Sequence, residues 1–301
     1  MLPFRLVYHD RYDLELGAHV FPSRKYRLIH DRLLAERFAE PSDFVAPEPV
    51  TDDDMRLVHE AGWIERLSTC TLDYAEILLL EIPCARPTVE AFWHATGGTL
   101  LAARLAIEQR IGFNIGGGFH HGFPAHGEGF CMVNDIAVAI RRLQRDGAIE
   151  RAMVVDCDVH HGNGTAAIFA GDASVFTLSI HQFANYPAQK PPSTVDIHLE
   201  DGTGDAEYLD RLETALDLAL SSFRPDLIVY VAGADPYEQD QLGGLRLSID
   251  GLKRRDRLVM DRALARAAPV AVVLAGGYAI NVEDTVTIHV NTAYAAKEAL
   301  R

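Results

Sequence analysis

Short β-branched runs alternate along the chain with longer segments whose apolar residues recur every three to four positions. Leu6-Val7-Tyr8, Gly112 to Ile115, Ala152 to Val155, Val175 to Ile180, Leu227 to Val231 and Val270 to Leu274 read as strands. The last two are unbroken apolar runs, as expected of central parallel strands covered on both faces. Val195 to Leu199 adds a further strand after a proline-rich loop. Helical periodicity marks Val89 to Gln109, Ile249 to Ala267 and Asn281 to Leu300. It also marks Asn134 to Arg145, with Ile136, Ala139, Ile140 and Leu143 on one face, and Asp205 to Leu220, with Leu209, Leu212, Leu216 and Leu220 in line. Asp52-Asp53-Asp54 reads as the start of a helix over Met55 to Glu60, because carboxylates favour the positive end of a helix dipole. Pro41 to Pro49 and Gln189 to Pro192 read as loops.

Strand alternating with helix requires crossover connections, and so predicts an α/β fold with a parallel sheet. No low-complexity linker or repeat divides the chain, which gives one domain over residues 1–301. Open sheets of this kind bind ligands beyond the carboxyl ends of their strands. Four of those ends are polar. They carry Gly116 to Gly122 with His120-His121, Asp156 to Gly164, Ala232 to Asp235, and Ala275 to Tyr278.

Residues two apart in an extended chain face one side, so Asp156, Asp158 and His160 can point together if the strand conformation persists past Asp156. Buried aspartates cost several kcal/mol per ion unless a cation compensates them. Asp158 and His160, joined by Asp235, make a two-carboxylate, one-imidazole set that leaves coordination positions open, as catalytic zinc sites do. Such a set also accepts Fe²⁺ or Co²⁺. His120 and His121 follow three glycines, which let the backbone approach a ligand closely. Asp156 and Asn163 are available to orient the two rings.

Composition narrows the field. The 301 residues include 28 basic and 43 acidic side chains, a formal net charge of −15. That balance argues against a broad nucleic-acid surface, which needs clustered Lys and Arg, and suits a cationic ligand. With 48% hydrophobic and 24% charged residues the chain is neither disordered nor a coiled coil. No apolar stretch reaches the roughly 20 residues of a membrane span. The start, Met1 to Leu6, has no signal-peptide pattern. Cys70, Cys84, Cys131 and Cys157 show no C-x-x-C spacing and read as reduced thiols of a cytoplasmic protein.

The ordered set G-G-G-F-H-H, G-E-G-F-C-M-V-N-D, D-C-D-V-H-H-G-N-G, G-A-D-P-Y-E-Q-D-Q-L-G and A-G-G-Y resembles the zinc-dependent histone deacetylase family of the arginase–deacetylase superfamily. The resemblance runs from about Tyr8 to the last helix. Val7-Tyr8-His9 and His19-Val20-Phe21-Pro22 with Lys25-Tyr26 further resemble its class IV-like branch, which has many bacterial members.

This resemblance implies a single-domain arginase/deacetylase-type α/β fold, a central parallel sheet of about eight strands flanked by helices, with a narrow tunnel to the metal. It implies hydrolysis of an acyl amide on lysine in a protein or on a small acylated amine, with an acetylpolyamine or a long-chain acyl-lysine as alternative substrates. Asp158, His160 and Asp235 would bind one Zn²⁺. His121, oriented by Asn163, would act as general base and then acid, and His120, paired with Asp156, as an electrostatic partner. Tyr278 would donate to the oxyanion. Gly129, Phe130, Tyr186 and Leu242 would line the tunnel. A structural K⁺ would sit on Asp156, Asp158, His160, Ser179 and Ile180, and a second on Phe169, Asp172 and Val175.

Two departures stand out. Many members carry Asp where this chain has Asn163, so His121 is expected to be less basic than in those relatives. The segment between Tyr186 and Tyr208 is shorter than in many relatives, which alters the tunnel rim and with it substrate choice. A dimanganese ureohydrolase of the same superfamily would need further bridging aspartates and fits the tandem histidines poorly. A non-catalytic acyl-lysine binder would have no use for a base and an oxyanion donor. His30, His59, His94 and His289 read as surface or core-edge residues, and His126 and Glu128 as loop residues near the rim.

Overall fold

The computed structural model describes residues 2–301. Strand β1 (Leu6–Val7) leads to α1 (Lys25–Ala35) and β2 (Phe44–Val45). Four helices follow: α2 (Asp52–Met55), α3 (Ala61–Thr69), α4 (Tyr74–Leu80) and the long α5 (Arg86–Gln109). From there strand and helix alternate: β3 (Ile111–Asn114), α6 (Asp135–Arg145), β4 (Ala152–Asp156), α7 (Asn163–Ile168), β5 (Val175–Gln182) and β6 (Val195–Leu199). The series ends with α8 (Asp205–Ser222), β7 (Leu227–Val231), α9 (Ile249–Ala265), β8 (Val270–Val273) and α10 (Val282–Ala299).

All strands are parallel and form one eight-stranded sheet in the order β2-β1-β3-β8-β7-β4-β5-β6. Every residue of β7 and β8 is buried, which accounts for their unbroken apolar sequences. Buried Val, Leu and Ile side chains each contribute about 1.5–3 kcal/mol relative to exposure, so the sheet centre carries much of the apolar stabilisation. Several helices start where a side chain caps a free amide of the first turn. The Asn134 side chain accepts from Ala137 N before α6, and Ser248 accepts from Gly251 N before α9.

Three local expectations fail. The triple aspartate is itself α2, capped by Thr51, and the chain leaves the helix after Met55 instead of continuing to Glu60. The segment read as loop from Pro41 contains β2, a two-residue edge strand whose pairing with β1 no local pattern announces. His289 is fully buried in α10 and His59 is also buried, because α10 packs between α9 and α1 and His59 ties its own loop to Phe123 and Asn134. Among the described residues no helix is long and apolar enough to cross a membrane, and all four cysteines are free.

The four polar strand ends belong to β3, β8, β7 and β4, which are consecutive in the sheet. Residues far apart in sequence therefore meet at one edge of four adjacent strands.

Candidate active site

Strand β4 ends at Asp156, and the extended conformation ends with it. Asp158 N donates to Asp156 Oδ1 (3.1 Å) and His160 N donates to Asp158 Oδ1 (3.0 Å), so the chain turns on its own carboxylates. The condition for Asp156, Asp158 and His160 to share one direction is therefore not met. The turn sends Asp156 towards His120, 2.7 Å from its Nδ1, while Asp158 and His160 meet Asp235.

Asp158, His160 and Asp235 are buried, and their potential ligand atoms all lie within 4.8 Å of one another. His160 Nδ1 is 3.0 Å from Asp158 Oδ1 and 3.4 Å from Asp235 Oδ2, yet Asp235 Oδ2 has no hydrogen-bond partner. Burial, and then the Asp158 charge, push the Asp235 carboxyl up to about 7. Two buried carboxylates packed around an imidazole are the kind of cluster that a bound cation compensates. The orphaned oxygen and the donor types fit a divalent metal ion. Gly276 closes the cradle. Its N–H donates to Asp158 Oδ2 (2.9 Å), and a Cβ there would lie 1.9 Å from Asp235 Oδ2, so only glycine fits.

The loop after β3 carries the two histidines. Gly118 has φ +88°, and a Cβ on it would meet Ala275 at 2.6 Å. Asp135, at the start of α6, accepts from Gly118 N (3.0 Å) and Phe119 N (2.7 Å) and so fixes the loop from beneath. His121 Nδ1 lies 2.7 Å from Asn163 Oδ1. An amide oxygen only accepts, so Nδ1 carries the hydrogen and Nε2 is the basic nitrogen. Burial depresses His120, but the Asp156 and Asp158 charges outweigh it and raise its pKa to about 9. Burial and the neighbouring His120 and His160 hold His121 well below the ordinary value. The adjacent rings are thus driven apart, one to the cation and one to the neutral base.

A cavity of ≈ 170 Å³ opens above this centre, lined by Glu81, His121, Gly129, Phe130, His160, Asn185, Tyr186, Leu242 and Tyr278. All four residues expected in the tunnel lie on its wall. The Tyr278 ring packs on Phe21 and Phe130 with centroids 5.9 and 6.0 Å away. Its phenol is pushed further up by burial and then by the Asp158 and Asp235 charges, which keeps the proton on the oxygen.

Sequence reading assigned no role to two residues that shape this centre. Asp240 accepts from Tyr278 N (2.7 Å) and Leu242 N (2.9 Å), tying the rim to the tyrosine. Lys25, fully buried, donates to Ala275 O (2.7 Å) and lies 5.9 Å from the Tyr278 ring centroid. Both fall inside quoted motifs, but nothing local distinguishes a buried charge from a solvated one. Glu128, half-buried, accepts from Asn163 Nδ2 and the Tyr186 hydroxyl beside the tunnel. His126 is partly exposed, 3.3 Å from the Glu128 carboxylate.

Of the residues expected at the first potassium position, Asp156 and Ser179 are register partners on β4 and β5, with Ile180 next. At the second, Asp172 ion-pairs with Arg141 (2.6 Å), while its N–H donates to Phe169 O and Val175 N donates to its carbonyl. A further group joins buried His161 and His181 to partly exposed Asp196. Both His181 nitrogens are engaged there, by Ser179 Oγ and His198 Nδ1 at 2.9 Å each, so the group reads as a hydrogen-bond network.

The histone deacetylase domain profile matches residues 19–293. An uncharacterized protein of Picosynechococcus sp. is 40% identical over 287 residues, covering 95% of this chain and 96% of its own. Histone deacetylase 2 of Arabidopsis thaliana is 32% identical over 286 residues, covering 91% and 74% respectively. The crystal structure of the HDA15 HD domain superposes with a TM-score of 0.79 at 23% identity, covering 96% of this chain and 90% of that one, and so matches the fold. With its domain profile, its relatives and its eight-stranded parallel sheet in agreement, the chain belongs to the histone deacetylase family.

Proposed function

We propose that this protein is a metal-dependent deacylase that removes a short acyl group from an amide nitrogen, on lysine in a protein or on a small amine. The observation that carries the reading is the convergence of the Asp158–His160–Asp235 cluster, the His120–Asp156 and His121–Asn163 pairs and Tyr278 at the foot of one cavity.

Asp158, His160 and Asp235 would hold one Zn²⁺, with Fe²⁺ or Co²⁺ as possible replacements. Bound there, the ion supplies Lewis acidity towards the amide carbonyl and acidifies a water molecule. The remaining chemistry belongs to the side chains. His121 Nε2 accepts the proton of the attacking water and returns one to the departing amine. Asn163 keeps that nitrogen free by binding the other. Protonated His120, backed by Asp156, offsets the negative charge that gathers during attack. The Tyr278 hydroxyl donates to the developing oxyanion. A K⁺ held by Asp156, Asp158, His160, Ser179 and Ile180 would brace the ligand loop.

A short acyl group with part of its alkyl linker fits the ≈ 170 Å³ cavity above the centre, and an acetylpolyamine or a long-chain acyl-lysine is the alternative substrate. The net charge of −15 favours a cationic amine or a lysine-rich peptide. Four free thiols fit the cytoplasm, and one catalytic domain spanning the chain accounts for every element.

The test is turnover by zinc-reconstituted protein on acetyl-, butyryl-, decanoyl- and myristoyl-lysine peptides and acetylated polyamines, with Asp158→Ala as the blank. Hydrolysis of the short acyl substrates, abolished together with zinc binding in the variant, is expected. Zinc-loaded protein that turns over none of them, or two transition-metal ions per chain, refutes the reading.

A further inference from the structure

Glu128 precedes the tunnel residues Gly129 and Phe130, and its side chain is only 13% exposed. Its Oε1 accepts from Asn163 Nδ2 at 2.6 Å and from the Tyr186 hydroxyl at 2.9 Å, and its Oε2 is 3.3 Å from His126 Nε2. Asn163 in turn offers Oδ1 to His121 Nδ1 (2.7 Å) and to Gly164 N (3.0 Å). A continuous chain of short hydrogen bonds therefore runs from a carboxylate, through a neutral amide, to the histidine.

We propose that Glu128 is a positioning residue for His121, fixing the Asn163 amide so that its carbonyl, and not its NH₂, faces the imidazole. A carboxylate has no hydrogen to give, so Asn163 must present Nδ2 to Glu128 and is left with Oδ1 for His121. That choice sets the His121 tautomer, with hydrogen on Nδ1 and a lone pair on Nε2. The negative charge missing at Asn163 is thus supplied one residue further out, by a charge-assisted bond. Burial raises the Glu128 pKa, but His126, Asn163 and Tyr186 together lower it, so the group is ionised at neutral pH. Tyr186 contributes to the same clamp from the opposite tunnel wall, which links the tunnel to the base. The inference rests on His121 being the base of the proposed hydrolysis.

Replacing Asn163 by aspartate, the residue of many relatives, would put two carboxylates at hydrogen-bond distance in this chain. One must then take a proton or swing away, breaking the bond from Tyr186. Glu128→Gln removes that conflict, because the glutamine amide can donate to the carboxylate introduced at position 163 while His121 still donates to it.

The experiment compares kcat and KM of zinc-loaded wild type, Glu128→Gln, Glu128→Ala, Asn163→Asp and the Glu128→Gln/Asn163→Asp double variant on an acetyl-lysine peptide. The His121 side-chain ¹⁵N shifts, assigned with His121→Gln, report the tautomer independently of turnover. Loss of a partner that orients a functional ligand typically costs about 10–100-fold in activity. Glu128→Ala is expected to lose that much in kcat with KM changed less than about twofold, and its ¹⁵N pattern to become a tautomer mixture. Glu128→Gln, which keeps an acceptor in place, should lose less. Asn163→Asp should lose activity, and the double variant should recover it at least about tenfold, the non-additivity of coupled neighbours. Glu128→Ala with near-wild-type kcat and an unchanged tautomer overturns the proposal. So does a double variant no more active than Asn163→Asp. If wild type hydrolyses no acyl amide, the functional reading falls, while the ¹⁵N pattern still decides what Glu128 does.

Discussion

Tyr278→Phe removes one oxygen from the centre and leaves its surroundings in place. The ring is held between Phe21 and Phe130, and the backbone is tied by Asp240 to Tyr278 N and by Gln241 Nε2 to Tyr278 O (2.8 Å). Phenylalanine keeps all of these contacts. What disappears is a single donor, the one proposed to meet charge that exists only during attack. Loss of one oxyanion donor costs about 10²–10³ in kcat, or roughly 2.7–4 kcal/mol of transition-state stabilisation. KM should change less than about threefold, because an uncharged substrate carbonyl gains little from the same donor. Zinc content should stay at the wild-type level, since Tyr278 is outside the Asp158–His160–Asp235 cluster. Steady-state kinetics on an acetyl-lysine peptide, with metal analysis of the same sample, measures both quantities. Turnover within about tenfold of wild type would refute the oxyanion role, and loss of zinc would show that the ring supports the metal site instead.

Arg255 is fully buried beneath the site, donating to Cys157 O (3.2 Å) and Gly233 O (2.7 Å) while paired with buried Asp256 (2.8 Å). Arg255→Met leaves that carboxylate unpaired and is expected to cost about 3–5 kcal/mol in urea unfolding; a loss below about 1 kcal/mol would contradict the pairing. His59 donates from Nδ1 to Phe123 O (2.9 Å) and accepts from Asn134 N on Nε2 (3.0 Å), so the ring is neutral, and burial lowers its pKa to about 4. A depressed pKa gives stability that is full above the unfolded value near 6.5 and is lost as pH falls through the folded one. Wild type should therefore lose up to about 3 kcal/mol more than His59→Gln between pH 6.5 and 4, and parallel curves would rule the linkage out.

Much of this molecule is written locally. Unbroken runs such as Leu227 to Val231 make central strands wherever they are placed, and periodic segments such as Asp135–Arg145 make helices that cover them. The motifs named the polar residues because chemistry depends on side-chain type, which the sequence states outright. Other features were settled only by packing. Strand β2 exists because β1 offers it an edge, and two residues carry no periodicity. The turn after β4 is held by Asp158 N on Asp156 Oδ1 and by His160 N on Asp158 Oδ1, and it brings Asp156 to His120 and Asp158 to His160 and Asp235. The partners of Glu128 come only from packing, because the Asn163 amide and the Tyr186 hydroxyl converge on it from different elements. Local sequence determines which groups are present and which elements carry them. The sheet order β3-β8-β7-β4 decides which groups meet, because hydrogen bonds and buried charges act across a few ångströms of space between residues distant along the chain.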